Sequence, residues 1–198
     1  MKQYRSFTLA AFLFLLALPL FAQKTKWVAD PAHSRIGFTV THMVITEVEG
    51  KFDKFTVEVY SDKPDFSDAR AIVTIDVNSI NTGNAKRDNH LRSPDFFDAA
   101  KYPTIKFVSK KMQRVGKNRY KLIGDLTIRN VTKEVALDVE FRGTVRDPWG
   151  NTRAGFKVSG EINRQDFGVS WNKTLDQGGL VVGNTVKLDI DLELIRQK

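Results

Sequence analysis

Residues 186–194 read Val-Lys-Leu-Asp-Ile-Asp-Leu-Glu-Leu. Successive side chains of a β-strand point to opposite faces, so Val186, Leu188, Ile190, Leu192 and Leu194 share one face and Lys187, Asp189, Asp191 and Glu193 share the other. A segment of this kind has a dry side that must be covered and a wet side that must not. The same period of two recurs in Ile36, Phe38 and Val40; in Phe55, Val57 and Val59; in Ala69, Ala71, Val73, Ile75 and Val77; and in Ile105 and Phe107. It returns in Tyr120, Leu122, Leu126 and Ile128, in Val135, Leu137, Val139 and Phe141, and in Phe156, Val158 and Ile162, giving eight to nine strands.

Turn residues separate these runs: Arg129-Asn130 before Val131 and Thr132, Asp147-Pro148-Trp149-Gly150-Asn151, and Gly178-Gly179 ahead of the last strand. No strand–helix–strand rhythm appears, so the chain is all-β with an antiparallel sheet. An apolar face on eight strands is covered either by a second sheet or by closure into a barrel, whose interior is filled by side chains or holds a small ligand. The inward positions include Gly124, Gly160, Ala69 and Ala71, and small inward residues favour a barrel with room inside.

Residues 1–22 carry Lys2 and Arg5 ahead of the apolar run Phe7 to Ala22, a pattern expected of a secretory signal peptide and too short for a comfortable membrane span. Cleavage after Ala22 would leave residues 23–198, 176 in number, as one domain in the periplasm or another exported compartment. The chain has no cysteine, so neither disulfides nor a cysteine-linked lipid anchor is available. The net charge of +8 becomes +6 without Lys2 and Arg5. The remaining basic residues are scattered, forming no nucleic-acid stripe, although the balance suits transient contact with an anionic membrane surface. Nothing in the pattern sets an oligomeric state.

Between Ile80 and Pro103 the period of two stops. Asn84–Arg92 reads as a short helix, with Asp88 and Arg92 spaced as an i,i+4 ion pair, and Ser93-Pro94 as the start of a second short helix through Phe96, Phe97 and Ala100. This helical excursion, about residues 84–100, can turn Arg87 and His90 one way and Asp88 with Arg92 another, while Phe96 and Phe97 cover the apolar interior. The competing expectation is a set of surface ion pairs, worth ~0–1 kcal/mol each.

Several segments in order resemble one family: Trp27-Val28-Ala29-Asp30-Pro31-Ala32-His33-Ser34; Arg87-Asp88-Asn89-His90-Leu91-Arg92-Ser93 with Asp95-Phe96-Phe97; Tyr102-Pro103-Thr104-Ile105-Lys106-Phe107; Gly124-Asp125-Leu126-Thr127-Ile128 with Val131-Thr132-Lys133; and Asn163-Arg164-Gln165-Asp166-Phe167-Gly168. Over residues 26–196 the chain resembles the YceI-like family of exported lipid- and polyisoprenoid-binding proteins. That resemblance implies a lipocalin-like eight-stranded antiparallel barrel whose apolar pore holds a polyisoprenoid or similar amphipathic lipid. On this basis Arg87, His90 and Arg92 are candidates for the ligand's head group. Phe38, Val40, Leu126, Ile128, Phe96, Phe97 and Trp171 are candidates for the pore lining, and no cofactor is expected.

Other motifs carry less. Asp166-Phe167-Gly168 lacks the glycine-rich loop and catalytic loop of a kinase and reads as a strand-end turn. His33, His42 and His90 lack metal-ligand spacing, so no metal site is expected. Ser34 and Ser93 lack a nucleophile elbow. A carrier without covalent chemistry is therefore the expected function, against an enzyme acting on isoprenoid lipids or a ligand-free stress protein with a filled barrel.

Overall fold

A computed structural model describes residues 24–176 and 178–198; the signal-peptide segment lies outside the described residues. Three bent strand pairs come first: β1 (Lys26–Ala29) with β2 (Arg35–His42), β3 (Thr46–Phe52) with β4 (Phe55–Tyr60), and β5 (Arg70–Asp76) with β6 (Ile80–Asn81). Helix α1 (Ala85–Arg92) follows, and then five long strands: β7 (Thr104–Gly116), β8 (Arg119–Ile128), β9 (Val131–Arg146), β10 (Thr152–Asn163) and β11 (Val182–Arg196).

Every pairing is antiparallel, and the sheet closes on itself. The end of β11 pairs with β1, which pairs on its other side with β4, so that Trp27 faces both Arg196 and Val59. The rest of β11 pairs with β2, which pairs with β3, so that Phe38 faces both Leu188 and Gly50. With each bent pair counted as one position, eight strands run up and down around an all-β antiparallel barrel. The expected fold class holds.

The bends have local causes. At the β3–β4 bend Asp53 donates its N–H to the Ser79 carbonyl, and Lys54 accepts from the N–H of Asp76. The 3-10 turn at Val77–Ser79, capped by the Asp76 carboxylate on the Asn78 N–H, makes the matching bend between β5 and β6. The two-residue β8–β9 turn holds Arg129 at φ 56°, the left-handed conformation such a turn needs.

Two expectations change. Residues 93–100 form turns rather than a second helix: the N–H groups of Phe96 and Asp98 both donate to the Ser93 carbonyl, and Asp98 at φ 50° cannot continue a right-handed helix. Gly124 and Gly160 leave no room either. A Cβ on Gly124 would lie 2.6 Å from Phe107 Cζ, and one on Gly160 would lie 2.7 Å from Leu137 Cδ2, so larger neighbours already occupy those spaces. Ala69 and Ala71 do border open space.

The barrel end at which β1 begins and β11 ends is plugged by rings. Phe66 packs 5.0 Å from Trp27, 5.0 Å from Phe156 and 5.2 Å from Phe141, each such pair adding ~0.5–1.5 kcal/mol beyond its buried area. Tyr120, fully buried, donates its hydroxyl to the Asp65 carbonyl at 2.6 Å and pins the loop that carries Phe66. The opposite end is covered by α1, the turns that follow it and the β10–β11 connection.

Candidate functional site

The period-two faces of the strands converge on an internal cavity of ≈ 220 Å³. That exceeds the ~150 Å³ of an apolar protein cavity that stays dry and admits benzene. Phe38, Val40, Leu126, Ile128, Phe96 and Phe97 all line it, as does one face of β11 through Val182, Val186, Leu188, Ile190, Leu192 and Leu194. The lining therefore follows β11 along nearly its whole length. Trp171 stands outside the lining: its ring lies 5.2 Å from Phe96 and 4.9 Å from His90, and closes the end of the barrel from the solvent side.

Among the described residues, one charged side chain borders the cavity. Arg164 is 5% exposed and sits on the 3-10 turn Arg164–Phe167 that follows β10. Its Nη1 donates to the carbonyls of Val169 (2.6 Å) and Trp171 (2.9 Å), its Nε to Gly183 (2.9 Å) and its Nη2 to Val182 (3.2 Å). Four of the five guanidinium N–H groups are thereby used, and one on Nη2 is left. Among the described residues no carboxylate lies within 4 Å of it, and burial pushes its pKa down with no acidic neighbour to offset the effect. One residue beyond the Gly183 carbonyl that Arg164 holds, Asn184 sits on the bulge where β11 slips register against β2 between the lining residues Val182 and Val186, and its buried Oδ1 has no hydrogen-bond partner.

The charges of α1 are spent differently. Arg87 donates Nε to Thr82 Oγ1 (2.8 Å) and Nη2 to the Thr82 carbonyl (2.7 Å). Arg92 donates to the carbonyls of Asn78 and Ile80, both at 3.0 Å, and to Asn89 Oδ1 at 2.9 Å. The expected Asp88–Arg92 pair does not form, because Asp88 is buried and accepts from the N–H and hydroxyl of Thr82. Neither arginine borders the cavity; together they strap the helix to β6 and its loop. His90 pairs with Asp95 at 2.9 Å and sets its ring edge-on to Phe96 and Trp171.

The histidines do not gather. His33 and His42 stand at opposite ends of β2, and His33 instead joins Asp30 and Glu193 at the β1–β2 break. Those three offer metal-ligand atoms, but the Arg153 guanidinium already lies among them. Its Nη1 is 2.7 Å from Asp30 Oδ2 and bonded to Glu193, and its Nε is 2.7 Å from Asp147. The site carries its own cation. Hydrogen bonds from His33 and then Arg153 hold the Asp30 pKa down at about 2.

At the covered end, the β2–β3 turn exposes three apolar residues in a row, with Ile45 at 81% exposure. Met43 and Val44 there adopt φ 52° and 67°. This conformation costs a β-branched residue of order 1–3 kcal/mol.

Six of the seven residues that the sequence points to for the lining border the cavity, Trp171 does not, and Arg164 is one that the sequence reading misses. The signal available was its position just after a barrel strand, in the Asn163–Gly168 segment that carries part of the family resemblance. What hid it is that a basic residue followed by Gln165 and Asp166 looks like an exposed turn.

Comparison with known proteins gives a consistent picture. The family model described as the YceI-like domain matches residues 27–194. A UPF0312 protein of Staphylococcus aureus (strain MSSA476) is 41% identical over 170 residues, covering 85% of this chain and 96% of the relative. Among solved structures, Burkholderia cenocepacia BcnA superposes with a TM-score of 0.73 at 27% identity, over 83% of this chain and 98% of that one. A Campylobacter jejuni YceI protein gives 0.68 at 32% identity, over 80% and 90%. A polyisoprenoid-binding domain from Saccharophagus degradans gives 0.64 at 16% identity, over 88% and 100%, a likeness of fold alone.

Proposed function

The chain belongs to the YceI-like domain family, and from that premise we propose that it is an exported carrier or sequestering protein that holds a polyisoprenoid or similar amphipathic chain inside its barrel. The observation that carries the reading is the ≈ 220 Å³ cavity with its continuous lining of Phe, Leu, Ile, Val and Ala side chains. Each methylene moved from water into such a lining is worth about 0.8 kcal/mol, so ten buried carbons supply on the order of 8 kcal/mol before ordering costs. The polyisoprenoid-binding domain that shares the fold supports the ligand class. The signal-like residues 1–22 support export.

Among the described residues the lining offers no hydroxyl, thiol, imidazole or carboxylate to a bound chain, which favours holding over covalent chemistry. A filled, ligand-free barrel is the reading the open cavity argues against. The strained, exposed Met43-Val44-Ile45 tip, at the end of the barrel where α1 lies, supports brief contact with a lipid surface during loading or release.

Native mass spectrometry of protein purified without detergent, followed by titration of the delipidated protein with farnesol, tests the carrier reading. A retained amphipathic chain or saturable binding is expected. A bare polypeptide mass together with no binding of farnesol or of a longer isoprenoid alcohol would overturn it.

A further inference from the structure

Arg164 is a cation withdrawn from water without an anion. Taking a charge out of water costs several kcal/mol even after relaxation, and carbonyl dipoles return only part of that. Its four backbone bonds explain how the β10–β11 connection is pinned. They do not explain why a full positive charge, with one N–H to spare, borders a cavity whose other lining residues are apolar. The orphaned Asn184 oxygen lies one residue beyond the Gly183 carbonyl that Arg164 holds. Its amide presents an acceptor there, or a donor when turned over, since the two ends of the amide are interchangeable in shape. Arg164 thus brings one spare N–H to an otherwise apolar chamber, and the residue after a carbonyl it holds carries a buried amide oxygen with no partner.

Resting on the carrier reading, we propose that Arg164 and Asn184 form the polar end of the chamber and receive an anionic oxygen, so that the favoured ligand is an isoprenoid ending in a phosphate or carboxylate rather than an alcohol or hydrocarbon. The spare Nη2–H donates to the anionic oxygen, and the Asn184 amide bonds to the same group. The head group therefore lies beneath α1, while the chain runs along β11 toward Leu194. This gives the orienting role to a side chain in the barrel end, since Arg164 borders the chamber and neither Arg87 nor Arg92 does.

The test titrates delipidated full-length mature protein with farnesyl phosphate, farnesoic acid, farnesol and farnesene. Wild type should bind the phosphate and the acid about ten- to a hundredfold more tightly than the alcohol, the factor for one charge-assisted hydrogen bond. Asn184→Leu should fold normally and lose several-fold of that preference, with farnesol binding retained. Arg164→Met, which keeps the bulk, should abolish the preference. If Arg164→Met does not fold, Asn184→Leu and Arg164→Lys decide the question, and an unchanged preference in both overturns the proposal. Equal affinity of wild type for anion and alcohol also overturns it and leaves the carrier reading standing. Failure of all four compounds to bind overturns this proposal, and with a bare polypeptide mass and no binding of a longer isoprenoid alcohol it removes the carrier reading as well.

Discussion

If the chamber is open as described, filling it should strengthen the empty protein and weaken the loaded one. Ala71, in β5, borders the chamber and is 8% exposed; its N–H donates to the buried Ser109 hydroxyl, and its methyl group ends in open space. Ala71→Leu adds three carbons to that space. At about 0.8 kcal/mol for each buried carbon the delipidated protein gains about 2 kcal/mol, which for a domain of this size raises Tm by about 5–8 °C. The same three carbons displace an equal length of bound chain, so farnesol should bind roughly thirty- to fiftyfold more weakly. Calorimetric melting of delipidated protein and titration with farnesol read the two effects, and their opposite signs are diagnostic. The neighbouring Ile72 is exposed on the outer face, so Ile72→Thr is the control and should move neither quantity much. A fall in Tm for Ala71→Leu with affinity unchanged would mean that the site is already packed, since forcing carbons into a full core costs ~1–3 kcal/mol.

Arg153 governs the acid limb of stability. Its bonds help hold Asp30 at about 2, and with Asn151 they outweigh the effect of burial and hold Asp147 at about 2 as well. Both folded values lie below the ordinary 3.8, so this contribution is complete above about pH 4 and is lost as pH falls toward 2. Urea unfolding at pH 7, 4 and 2.5 should show Arg153→Met weaker at pH 7 and flatter across that window, whereas parallel curves for the two proteins would contradict the assignment. Arg92→Met leaves the Asn78 and Ile80 carbonyls without their donor and should cost ~1–3 kcal/mol. Hydrogen exchange over residues 78–92 should speed up while any preference for phosphate stays, and a collapse of that preference would move the polar end to α1. Leu126→Lys places a charge in the lining and should cost several kcal/mol or prevent folding. Lys187→Glu, on the outer face, should stay within ~1 kcal/mol, and equal tolerance of the two would mean inside and outside are exchanged.

The architecture was legible where one physical rule dominates. A strand with water on one side and lipid-like space on the other must alternate, and β11 does so from Val186 to Leu194, all of whose apolar members border the chamber. The breaks within strands were not legible. β3 escapes the pattern because Gly50 replaces an inward apolar residue, the Phe38 ring taking the space where its Cβ would be. β1 is only four residues long, and its partner strands lie far off in sequence. The charges of Arg87-Asp88-Asn89-His90-Leu91-Arg92 were read correctly as helical and misread as to partners, because spacing along a helix cannot reveal that Thr82, Asn78 and Ile80 offer better acceptors than the helix itself. Arg164 was invisible for the complementary reason: the carbonyls of Val169 and Trp171 in the following connection and of Val182 and Gly183 at the start of β11 make its burial tolerable, and no local pattern foretells them.

The closing seam has a consequence in time. β1 lies between β4 and the last residues of β11, so Trp27 acquires its second neighbour only when Arg196 arrives. At about 5–20 residues per second of synthesis, the first strand waits on the order of ten seconds or more for the last. Throughout that wait the nascent sheet has two free margins able to pair with any other extended chain. The ring can therefore close only when its last strand is present, and a helper that shields the amino-terminal strand until the carboxyl-terminal one arrives would protect those margins.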